Sequence, residues 1–216
     1  LSELSFNDGD HRAAKRHGNM ALDYATDCDA VIQEAAALLV LCRVETALGH
    51  KGTVAAYLER LEDLGGQLLD AALEADIRRE LAEILVLQGD AARADRNLVA
   101  ALEATRTAKD NRRQALILRA LADIDMSRGQ AAGAAAQLAE ACSLLKSTTE
   151  RALLGQMYHA HGLALVAAED LPGALHCFQR AYRQRKRIDH PHGMALDLNR
   201  IGDVQLRSGD RKKAAR

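Results

Sequence analysis

The sequence predicts an all-α protein, a right-handed α-solenoid of antiparallel helix pairs built from about five 40-residue repeats. Three observations lead there. Turn residues recur at one fixed step: Gly9-Asp10, Gly49-His50, Gly89-Asp90, Gly129-Gln130, Glu169-Asp170 and Gly209-Asp210. A constant period of this size marks a repeat architecture. Small residues keep the same step. Five past each turn position lie Ala14, Val54, Ala94, Ala134, Ala174 and Ala214, and seven further on lie Ala21, Leu61, Ala101, Ala141 and Ala181. Nine of these eleven sites are Ala, in a chain with 42 alanines among 216 residues, so the column is a pattern and not composition alone. Finally, no segment alternates apolar and polar with period two, and only two prolines interrupt the chain, so helices are permitted almost everywhere.

Taken in order, residues 1–8 read as the end of a helix closed by Gly9, with Asp10 capping the next. That helix runs to about Tyr24–Cys28, with Ala14, Ala21 and Leu22 on one face and Asp27-Cys28-Asp29 as connector. The following helices are expected over Ala30–Leu48, from His50 to Leu64 (ended by Gly65-Gly66), and over Leu68–Gln88 and Ala91–Ala108 (broken by Lys109-Asp110). Arg112–Arg128 comes next, then a helix ending near Lys146 before the capping stretch Ser147-Thr148-Thr149. Glu150–Ala168 and Leu171–Arg187 form the last complete pair. Pro172 sits in a first turn, where a missing N–H costs little. Asp189-His190-Pro191-His192-Gly193 reads as a loop, followed by a helix to Ser208 and a cut-off one from Asp210 to Arg216. The total is about eleven helices, two of them partial. The chain is expected to be a single solenoid over residues 1–216. It begins with Leu1 and not Met, so it is expected to be a segment of a longer chain, truncated at both ends.

Seven residues before each turn position lie Cys42, Ala82, Ala122, Gly162 and Gly202, all small. Small residues where antiparallel helices cross let the backbones approach to about 8–10 Å. Leu58, Leu98, Leu138 and Phe178, four beyond the first Ala column, fill the space beside the crossing.

These columns resemble the tetratricopeptide repeat. In the last complete unit the family pattern falls on Tyr158, His161-Gly162, Leu165, Ala174, Phe178 and Ala181. His161 stands where the family has Leu, and Leu165 where it has Tyr. The family's Pro after the second helix is absent, and the unit is 40 residues rather than the usual 34. The likeness covers the whole chain, although His50, Val54 and Leu61 depart from it. It is to long-helix variants such as those of bacterial signalling regulators and of scaffolds that bind signalling partners.

Composition excludes more than it selects. Net charge is -1, so no global pull toward nucleic acid or membrane is expected. The longest uncharged apolar run, Ala35 to Cys42, is too short to span a bilayer. Cys28, Cys42, Cys142 and Cys177 form no CxxC and read as buried free thiols of a cytoplasmic protein. There is no phosphate-binding glycine loop, GxSxG or HExxH. His159 and His161 point to different faces. His176 and Cys177 are adjacent on a helix and diverge. Asp189, His190 and His192 are set aside as a metal site. No enzyme activity, metal or cofactor is expected. From Arg180 onward eleven Lys/Arg face four Asp/Glu. The cluster Arg180, Arg183, Arg185, Lys186 and Arg187 reads as a solvated helix end with cations at the negative dipole pole. The sharper reading is a docking patch for an acidic partner or nucleic acid.

The resemblance implies that the first helix of each unit lines a concave groove. The groove positions three before the small column are Leu39, Arg79, Arg119, His159 and Asn199. Those one after it are Arg43, Glu83, Asp123, Leu163 and Asp203. The partner-binding candidates are therefore Arg43, Arg79, Glu83, Arg119, Asp123, His159, Asn199 and Asp203. Arg79/Glu83 and Arg119/Asp123 are i,i+4 pairs, which on a wet surface could simply neutralise each other. The polar columns argue against an apolar pocket. The expected function is a protein- or peptide-binding scaffold or sensor module of a larger, bacterial regulatory protein. The competing classes are a small-ligand (inducer) sensing superhelix of a multidomain transcription activator, and self-association through open array ends. Nucleic acid and membrane are not expected as partners.

Overall fold

The structure, a computed structural model, describes residues 10–68 and 70–209. Among them are ten helices and no strand. The expected partial helix before Gly9 and the stub Asp210–Arg216 lie outside the described residues. The chain divides into two compact units, residues 1–109 and 110–216.

The first unit holds α1 (His11–Asp27), α2 (Val31–Leu48), α3 (Lys51–Gly65), α4 (Ala71–Leu87) and α5 (Ala91–Thr107). Here α1 packs on α2, α2 on α3 and α4 on α5, with α4 also touching α2 and α3. The second holds α6 (Asn111–Ser127), α7 (Ala131–Leu145), α8 (Arg151–Ala167), α9 (Leu171–Arg187) and α10 (Pro191–Arg207). Each of these packs on the next, and α6 reaches α8. The fold class is the all-α helical repeat of the solenoid kind.

The turns explain the period. Gly49, Gly89, Gly129 and Gly209 adopt φ of 79°, 83°, 75° and 82°, the left-handed conformation that closes a helix C-terminus at little cost in glycine. Glu169 holds the same register at φ 64°. Aspartates then restart the chain: Asp10, Asp70, Asp90, Asp110 and Asp170 each accept hydrogen bonds from first-turn N–H groups. Each such cap contributes about 1 kcal/mol.

Two helix starts differ from expectation. The helix expected from Leu68 begins at Ala71, because Asp70 is its cap. The loop expected to run through Gly193 stops at His190. Pro191 opens α10, and His190 Nδ1 accepts from Gly193 N–H at 3.0 Å. Proline supplies a helical φ at a position with no donor to lose. The structure also shows an alternation the 40-residue reading did not contain. Helices α3 and α7 have 15 residues and are followed by the longer connections 66–70 and 146–150. The other pair-to-pair connections are short and pass through left-handed Asp29, Lys109 and Asp189, spaced 80 residues apart.

The Ala columns do the packing expected of them. Ala14, Ala94, Ala134 and Ala174 are fully buried, as are Leu61, Ala101, Ala141 and Ala181. Ala21 is the exception: it is exposed, and α1 buries Ala14, Gly18 and Ala25 instead. Polar side chains tie helices together where the columns leave room. In the first unit Arg93 and Asn97 of α5 both donate to Glu62 of α3, and Arg78 of α4 donates to Asn97.

Candidate functional site

In the first unit the groove candidates lie on the facing surfaces of α2 and α4. Arg43 Nη2 donates to Glu80 Oε2 at 2.7 Å. Arg79 bonds Glu83 one turn along and approaches Glu80 Oε1 at 3.6 Å. The four side chains thus form one alternating-charge chain, with Glu80 as its hub. Column reading missed Glu80 because three of its counterparts, Val40, Ala120 and Ala160, are apolar and the fourth, Arg200, carries the opposite charge. Beside this chain is a cavity of about 170 Å³ lined by Ile32, Ala36, Leu39, Leu73, Asp76, Ile77 and Glu80. Leu39 and Ile77 are buried in its floor, while Ile32 is 47% exposed at its rim. The expectation of a polar groove is therefore corrected. The arginines and glutamates edge an apolar floor, because long charged side chains lie over apolar surface and keep only their heads in water.

In the second unit the candidates separate. Arg119 Nε donates to both Asp123 oxygens at 3.0 Å along the exposed face of α6. His159 is not part of a wet ladder. It turns inward, with Nδ1 2.7 Å from Asp197 Oδ1 of α10 and its ring edge-on to Phe178 at 5.5 Å. Arg185 Nη1 also reaches Asp197 Oδ1, at 2.7 Å, and donates to Gly193 O at 2.9 Å. Both Arg185 and Asp197 are buried. In the same register earlier repeats place Gly65/Ile77, Thr105/Ile117 and Leu145/Met157, so this seam is a polar replacement in an apolar slot.

That observation breaks up the expected basic patch. Arg185 is an internal anchor and Arg180 lies over the Tyr158 ring at 5.5 Å, leaving Arg183, Lys186 and Arg187 as the exposed cations. Asn199 and Asp203 are exposed on α10, where Arg200 Nη1 lies 3.5 Å from Asp203 Oδ2. Two cavities flank them. One, of about 350 Å³, is lined by Leu163, Val166, Phe178, Arg200, Asp203, Val204, Leu206 and Arg207. The other, about 500 Å³, lies along the outer face of α10 from Leu196 to Leu206.

One pairing escaped the sequence reading. Cys177 meets His161, not His176: Sγ and Nδ1 are 3.4 Å apart. The spacing of 16 residues is that of Gly162 and Phe178, so the repeat register carried the signal. Burial pushes the Cys177 thiol up to about 11 and holds His161 below the usual imidazole range. At neutral pH the pair is a neutral thiol beside a neutral imidazole, and a thiol without thiolate character is a poor nucleophile. Among the described residues no group of three or more His, Cys, Asp or Glu could hold a metal, and no helix is long and apolar enough to cross a membrane.

No family model and no curated protein sequence matches the chain significantly. Solved structures do. The fold is tetratricopeptide-like. BtubC (BKLC) from P. vanneervenii superposes with a TM-score of 0.81 at 17% identity, over 95% of this chain and 87% of that one. A STAND signal-transduction ATPase with a tetratricopeptide repeat sensor, from Pyrococcus horikoshii, gives 0.79 at 14% identity over 99% of this chain. The match covers 33% of that protein's length. A Rap protein complexed with Competence and Sporulation Factor gives 0.62 at 12% identity, over 97% of this chain and 63% of that one.

Proposed function

We propose that the chain is a binding module of a larger regulatory protein, taking a protein or peptide segment along the faces of its first helices, and that it carries no reaction of its own. The observation behind this is the α2–α4 surface. An apolar cavity that admits one side chain lies beside a row of charges, Arg43, Glu80, Arg79 and Glu83, able to bond an extended backbone and its polar side chains. Apolar contact supplies affinity, and positioned polar groups supply specificity. Two neighbours of the same fold agree with the reading: one is named a sensor and another is complexed with a factor.

The test is a displayed peptide library selected on the full chain, followed by affinity measurement on the Ile32→Ser and Arg43→Ala variants. Enriched peptides should carry an apolar anchor among charges of both signs, and each variant should weaken them without lowering Tm. Selection of no common sequence, or binding indifferent to both variants, would remove the proposal.

A further inference from the structure

The cavity between α8, α9 and α10 differs in kind from the one on α2 and α4. Its floor is Phe178 and Val204, both almost fully buried, and its walls are Leu163, Val166 and Leu206. Its volume of about 350 Å³ is within the range of small-molecule sites, roughly 300–1,000 Å³. Two arginines of α10, Arg200 and Arg207, stand at its edge seven residues apart, and hence on one face of the helix. The Arg207 guanidinium has no hydrogen bond or ion pair among the described residues. Among the same residues Arg200 has only the 3.5 Å approach to Asp203, the one carboxylate that they contribute to the lining.

The repeat itself does not require these cations. In the register of Arg200 the other repeats carry Val40, Glu80, Ala120 and Ala160, and in that of Arg207 they carry Ala47, Leu87, Ser127 and Ala167. A cation in the last helical turn complements the helix dipole, which accounts for Arg207 but not for Arg200 two turns earlier. The pocket therefore combines an apolar floor with two planar, permanently charged donors at its mouth, of which Asp203 offsets one. An apolar body with an anionic head satisfies both features. A cationic head would meet net positive charge, and an uncharged body would leave the guanidinium forks unused.

We infer that the α8–α9–α10 pocket is a binding site for a small amphipathic carboxylate, its hydrocarbon part on Phe178 and Val204 and its carboxylate between Arg200 and Arg207. The site is separate from the α2–α4 surface and does not depend on the peptide reading.

Calorimetric titration of the full chain with hexanoate, octanoate and octyltrimethylammonium tests it. Octanoate should bind saturably at one site, with affinity rising about fourfold per added methylene from hexanoate. Octyltrimethylammonium should show no saturable binding. Arg200→Gln and Arg207→Gln, both exposed substitutions, should each weaken octanoate about tenfold with the unliganded Tm unchanged. Arg183→Gln on α9 and Arg43→Ala on α2 should leave octanoate binding as it was. Equal binding of the cation, an octanoate affinity indifferent to both pocket arginines, or no saturable octanoate binding would each overturn the inference.

Discussion

Phe178 fills the space that Gly162 leaves empty. A Cβ built on Gly162 would lie 2.6 Å from Phe178 Cε1 and 2.8 Å from Cδ1 and Cζ, well inside contact distance. One repeat earlier the same two positions are Ala122 and Leu138, and before that Ala82 and Leu98. The crossing thus has more than one solution: glycine with a ring, or a small side chain (Cys42, Ala82, Ala122) with a leucine. Gly162→Ala alone should destabilise by about 1–3 kcal/mol through overpacking. Phe178→Leu alone should also destabilise, by leaving a void. Together they recreate the pair found at Ala122/Leu138, so the double variant should be more stable than the sum of the singles by about 1 kcal/mol or more. Urea denaturation of the four proteins checks it, and simple additivity would show that the crossing is not shared.

The buried seam of Arg185, Asp197 and His159 is tested by removing one partner or two. Among the described residues Asp197 Oδ2 is buried with no hydrogen-bond partner. Asp197→Ala strands the Arg185 cation and should cost about 3–5 kcal/mol. Arg185→Leu with Asp197→Met installs the pair found at Leu145 and Met157 and should recover most or all of that loss. If the double variant is no better than the single, the polar seam itself is required for α10 to dock.

Glu45 gives the fold a pH dependence in the acid range. Its side chain is fully buried, with Lys15 Nζ 2.6 Å from one oxygen and His50 Nδ1 2.6 Å from the other. Burial alone would raise its pKa, but the bonds from Lys15 and His50 outweigh that and hold it below the usual carboxylate value. A carboxyl depressed in the folded state stabilises fully above its unfolded pKa and loses that contribution as pH falls through the folded one. Glu45→Gln should therefore lower stability by about 1–3 kcal/mol at neutral pH. The gap to the parent should close as the pH falls through the acid range, below the ordinary carboxylate value. A gap independent of pH in thermal melts would place the effect in packing instead of charge.

Much of this architecture is legible in the sequence because it rests on local rules repeated. A left-handed residue closes each first helix, aspartates start many of the helices, and alanine at one column sets most of the crossings. What was not legible is what depends on one repeat differing from the next. Leu39 and His159 share a column, yet one floors a cavity and the other bonds Asp197, because the neighbouring helix supplies a different partner in each repeat. Glu80 was invisible because a column compares a residue with its counterparts and not with Arg43 across the groove. Arg185 read as a surface cation because its partner Asp197 lies on the next helix, opposite the apolar slot of every earlier repeat.

The remaining prediction separates the two surfaces on which a partner could dock. Arg43 in the first unit and Arg119 in the second are exposed enough that their ion pairs, with Glu80 and Asp123, contribute under about 1 kcal/mol to folding. Each can still present a planar fork to a ligand carboxylate, while Glu83 and Asp123 accept from a ligand lysine or backbone N–H. A preferred ligand should then be of mixed charge. Against a peptide selected on the full chain, Arg43→Ala should weaken binding by about 1–3 kcal/mol while Tm stays nearly constant. Arg183→Ala, at the exposed basic end of α9, should change neither quantity. Loss of binding in Arg183→Ala, with Arg43→Ala unaffected, would move the interaction to the basic cluster of Arg183, Lys186 and Arg187 and away from the α2–α4 surface.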